Sequence, residues 1–127
     1  MKSIILVIAI LQFSTNLLTA NPVTKEYARK VAVTWFEHIT NNKPLYSSVK
    51  DVSTFTYKNL ETLYVFKFIK GGFVIVAAND ISIPILGYSE VNSFPEPVNH
   101  SNIQKWLDDY SLQIFNLINS GISNEKT

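Results

Sequence analysis

The chain contains no cysteine, which excludes disulfide staples, thiol nucleophiles and thiolate metal sites together. Histidine is nearly absent too. His38 and His100 lie far apart in the sequence, without the HExxH spacing of a helical zinc site. There are only four glycines. The pair Gly71-Gly72 is followed by Phe73, not by the lysine and serine that a phosphate-cradling loop requires. A surplus of one charge is also missing, with 11 basic against 10 acidic residues. Neither nucleic acid nor an anionic membrane is therefore an expected partner, because both select for an excess of cations. Asp108-Asp109 falls on a predicted helix, where neighbours point about 100° apart and do not share a site. Asn79-Asp80 reads as turn chemistry. Asn99-His100-Ser101 has the form of a glycosylation sequon but overlaps a predicted helix cap. With no acid, base and nucleophile brought together, an enzyme is the least favoured class, and no cofactor or metal is implied.

What is present begins with an export signature. Lys2 gives a short positive start, Ile4 to Leu11 is purely apolar, and Thr19-Ala20 closes with small residues. Leu18 is a poor residue at its distance from such a cut. The apolar run is about half the length of a membrane span. The reading is a removable leader over residues 1–20 and one domain over 21–127, exported to the periplasm or beyond the cell, with no membrane partner once the leader is gone. Removing Lys2 brings the net charge to zero.

Residues 21–40 predict a helix. Tyr27, Ala28, Val31, Ala32, Trp35, Phe36 and Ile39 recur at three- and four-residue spacing. Pro22 suits a first turn, and Pro44 closes the segment. Residues 50–58 alternate as a strand, with a turn expected over 59–62. Residues 63–69 alternate more clearly: Tyr64, Phe66 and Phe68 on one side, Val65, Lys67 and Ile69 on the other. Gly71-Gly72 permits the positive backbone angles of a tight hairpin. Phe73 to Ala78 is apolar on both sides, as a central strand is, and Pro84 opens a short further strand. Residues 101–120 predict a second amphipathic helix, with Ser101 and Gln104 spaced as a capping box and Gly121 as its stop. The fold class is α+β: an antiparallel sheet of three to four strands, with an N-terminal and a C-terminal helix packed on one face. One-sided cover makes the Lys67 side the wet one and leaves Val65 and Ile69 as a modest apolar patch.

Several blocks now acquire a common meaning. Tyr64-Val65-Phe66, Gly71-Gly72-Phe73-Val74-Ile75-Val76, Ile85-Leu86-Gly87-Tyr88-Ser89, Ser93-Phe94, and the helix bearing Trp106-Leu107-Asp108-Asp109-Tyr110 and Gln113-Ile114 occur in this order. The sequence of blocks resembles the prosegment of streptopain-type cysteine peptidases and the small standalone inhibitors related to it. Ala28, Ala32 and Phe36 are similar to the prosegment's first helix. The resemblance spans about residues 24–118. It implies an α+β domain that packs on a papain-like catalytic domain, with a loop reaching the active-site cleft. This chain carries Lys67 where that prosegment has asparagine.

No peptidase accompanies the domain in this sequence. The resemblance therefore implies a free-standing prosegment, a monomer when free, that inhibits a separately encoded streptopain-type peptidase in trans. Phe66, Lys67, Phe68, Ile69 and Lys70 are the expected contact residues. The same resemblance leaves open a folding assistant for the peptidase, or a secreted binding or structural module with no peptidase partner.

Overall fold

In the computed structural model, which describes residues 20–41, 47–95 and 101–124, Thr24 caps helix α1 over Lys25–Ile39 by accepting from the Tyr27 amide at 3.2 Å. Pro22 is not in the first helical turn. Residues 21–23 are extended and pair with the segment after the third strand, with Pro22 bridged to Asn79 and the Val23 amide donating to Ala78 at 2.9 Å. Residues 1–19, which carry most of the expected leader, lie outside the described residues, as do Pro44 and His100. The expected capping box rests on the Ser101 side chain, which also lies outside them. Among the described residues no helix is long and apolar enough to cross a membrane.

Four strands follow: β1 Val49–Tyr57, β2 Leu60–Phe68, β3 Phe73–Ala77 and β4 Ile85–Ser89. They form one antiparallel sheet in the order β1-β2-β3-β4. Helix α2, Ser101–Asn124, completes the domain. It passes through Gly121, which therefore does not act as a stop. The turn expected over residues 59–62 is tighter than the sequence suggested. Lys58 and Asn59 make it alone, with φ of 49° and 67°, and β2 starts at Leu60.

The α+β class and the antiparallel sheet agree with the sequence reading, but the helices do not share a face. Helix α1 lays Ala28, Ala32 and Phe36 on Tyr64, Phe66, Phe68, Val74 and Val76. Helix α2 brings Leu107 against Leu63, Val65 and Ile75 on the opposite side, with Trp106 and Tyr110 packed around them. Successive strand residues point to opposite faces, so β2 and β3, apolar at every position from Leu63 to Phe66 and from Phe73 to Ala77, need cover on both. Val65 is accordingly fully buried rather than part of an exposed patch. A buried Thr62–Ser111 hydroxyl contact of 2.9 Å helps to fix α2. On the α1 side, the Tyr64 hydroxyl donates to the Val23 carbonyl and the Glu61 carboxylate, each at 2.9 Å. Burial, the Glu61 hydrogen bond and the Glu61 charge push its pKa up to about 12.

Candidate partner-binding site

The β2–β3 turn is built by two glycines at positive φ, where any other residue is strained. Gly71 and Gly72 have φ of +99° and +92°. A Cβ on Gly72 would stand 2.7 Å from the Ser89 and Glu90 carbonyl oxygens and 2.8 Å from Cε2 of Phe36. The missing side chain thus lets the turn lie against both the exit of β4 and helix α1. The backbone holds it from two further directions. The Phe68 amide donates to Gly72 and the Gly71 amide to Phe68, each at 3.1 Å, while the Ile69 amide donates to Ser48 at 2.9 Å.

The five expected contact residues separate into three kinds. Phe66 and Phe68 are inside the protein, at 0% and 3% exposure. Phe68 stacks on Phe36 with ring centroids 3.9 Å apart and planes 4° from parallel. Their burial fixes the turn from below and keeps both rings off the surface. Lys67 is braced. Its ammonium donates to Ser53 Oγ at 3.0 Å, stands 3.6 Å from the Asp51 carboxylate, and lies 5.8 Å from the centre of the Phe94 ring. The hairpin is therefore not purely cationic at this point, since β1 supplies the acid opposite Lys67. Only Ile69, at 58% exposure, and Lys70 project into solvent.

Sequence reasoning missed Val91. It is 76% exposed, and its carbonyl lies 3.0 Å from where a Gly71 side chain would begin. Two apolar side chains, Ile69 and Val91, therefore belong to neighbouring loops at one end of the sheet. A cleft of about 130 Å³ is bordered by Lys50, Asp51, Lys67, Phe68, Gly72, Ser93 and Phe94. The conspicuous Ser93-Phe94 block was the available signal that this loop belongs to the same end.

A wider recess of about 660 Å³ lies along α1 beside β4, bordered by Tyr27, Val31, Trp35, His38, Pro84 and Ile85. It is mostly apolar, and no catalytic arrangement converges there. Among the described residues no group of three His, Asp or Glu side chains is placed to hold a metal. Asp108 and Asp109 are both exposed on α2, and Asn79 Oδ1 accepts from the Ile81 amide in a turn.

Compared with known proteins, the chain matches the family model of the Spi protease inhibitors over residues 20–114, from the first described residue into the middle of α2. No curated protein and no solved structure matches.

Proposed function

This chain belongs to the Spi protease inhibitor family, and we propose that its target is a separately encoded, streptopain-type papain-like cysteine peptidase, blocked in trans by a detached prosegment-like domain. The protein acts by occupying the cleft, without covalent chemistry. It is exported with its leader removed and is a monomer when free. The observation that carries this reading is the way Ile69 and Lys70 are offered. They sit on a turn locked by Gly72, Phe68 and Phe36, so little ordering cost remains to be met on binding.

Phe66 and Phe68 act from inside as the anchors of this turn, Lys67 braces it, and Ile69 and Lys70 meet the partner with Val91 beside them. An apolar side chain entering a pocket supplies the kind of central anchor that dominates a standard interface of roughly 1,600 Å². A lysine brought near a catalytic cysteine–histidine pair favours the thiolate and disfavours a protonated histidine. The test is a titration of a streptopain-type peptidase with this protein, read by hydrolysis of a small chromogenic peptide. Progressive loss of activity is expected. Full activity at micromolar concentrations of the protein would sink the assignment.

A further inference from the structure

The opposite end of the sheet holds a contact that the inhibitory reading does not use. Asp80 meets Asn21 three times. Its Oδ1 accepts from the Asn21 backbone nitrogen at 2.7 Å, its Oδ2 accepts from Asn21 Nδ2 at 3.3 Å, and its own amide donates to the Asn21 carbonyl at 3.0 Å. Asn21 is also where the chain joins the sheet: Pro22 bridges Asn79 and Val23 bonds Ala78 immediately after it. Of these contacts the shortest, at 2.7 Å, sets a carboxylate oxygen directly on the Asn21 backbone nitrogen, within the range of an N⁺–H···O⁻ bond.

We infer that the leader is cut between Ala20 and Asn21, and that Asp80 is the binding site for the new α-ammonium group. This rests on the export reading above. Water adds across the Ala20–Asn21 amide under a leader peptidase. The hydroxyl goes to the Ala20 carbonyl carbon, which leaves as a carboxyl group. A proton goes to the Asn21 nitrogen, and a second proton from solvent makes it an ammonium. The nitrogen that donated to the Asp80 carboxylate as a neutral amide then does so as an ammonium, which adds a direct ion pair to the hydrogen bond already there. Processing thereby tightens the strand-like segment 21–23 onto the domain.

The sign of the pH effect follows. A carboxylate beside the α-ammonium raises its pKa above the ordinary value of roughly 7.7. The stabilisation is complete below that ordinary value and is lost as pH rises through the raised one. Asp80 is a charged group in contact with Asn21. Glu61 approaches the neighbouring Val23 carbonyl through Tyr64, and Lys25 and Glu26 open the first turn of α1.

The experiment expresses the full chain with its own leader and recovers the exported product. Its mass is expected to place the N-terminus at Asn21. Titration of that amine, followed by NMR, is expected to give a pKa raised by about half a unit or more, and Asp80→Asn is expected to return it to the ordinary value. Inhibition is expected to be unchanged in Asp80→Asn, because the site lies at the far end of β3 from the Gly71-Gly72 turn. A product that keeps Met1 overturns the export reading. An N-terminus at any other residue, or an ordinary amine pKa in the unmutated protein, overturns the inference alone. The wild-type titration decides the matter even if Asp80→Asn fails to fold.

Discussion

Two turns frame strand β2, and both need left-handed backbone, yet they differ in what surrounds them. At Lys58-Asn59 the φ values of 49° and 67° lie in the region that asparagine readily visits. The Lys58 ammonium lies back over the rings of Tyr57 and Phe115, at 5.7 and 5.4 Å from their centres. At Ile69–Gly72 the glycines stand at +99° and +92°, and the space where side chains would go is filled by the backbone of Ser89, Glu90 and Val91 and by the Phe36 ring. One turn reverses the chain and exposes only the polar Lys58 and Asn59. The other is held from three sides and leaves an isoleucine and a lysine bare. Rigid support beneath an exposed apolar residue is the arrangement a binding loop needs, and only the second turn has it.

The comparison can be broken most severely at Gly72. Gly72→Ala adds backbone strain and a clash with two carbonyls and Phe36, at a cost of about 3 kcal/mol or more, read as a collapse of the urea midpoint. A near-normal midpoint would mean that the turn is not held as described. Next comes the anchored interior. The Tyr64 proton is retained to about pH 12 when folded, against about 10 when unfolded. The unfolded chain therefore loses its proton first as pH rises. Stability is full below pH 10 and declines by roughly 2 kcal/mol on approaching pH 12. Tyr64→Phe should flatten this part of the stability–pH profile.

The bracing of Lys67 ranks third. Lys67→Ala removes the Ser53 hydrogen bond and the Asp51 ion pair, and is expected to lower stability by about 1 kcal/mol while leaving inhibition nearly intact well below the melting temperature. Asn59→Gly is the smallest change. It is expected to alter stability by no more than about 0.5 kcal/mol in thermal melts, because the other turn tolerates either residue. A large loss there would erase the distinction between the turns.

Much of this was legible in the residues, and the failures are informative. The period-two alternation of Tyr64, Phe66 and Phe68 placed β2, and the glycine pair placed the hairpin. The number of covered faces is not legible from two amphipathic helices alone, which can share one face, and Lys67 then marks its own side as the wet one. Leu63 and Val65 on that same side already called for a second helix. The ion pair to Asp51 shows how a lysine reaches such a position without open water around it. Phe66 and Phe68 are expected contacts only because the resemblance offers the whole 66–70 segment. Their burial depends on α1 arriving from residues 25–39, which no local pattern states. Val91 was invisible for a related reason: its nearness to Gly71 is made by the return of β4.

The account turns on Ile69 as the anchor of a rigid turn, so the most direct measurement is the inhibition constant of Ile69→Asp against a streptopain-type cysteine peptidase, alongside its melting temperature. The expected result is a constant raised about tenfold or more with an unchanged melting temperature, since the side chain is 58% exposed in the free protein. Equal inhibition by the variant and the parent would contradict it, and would move the contact away from this end of the sheet.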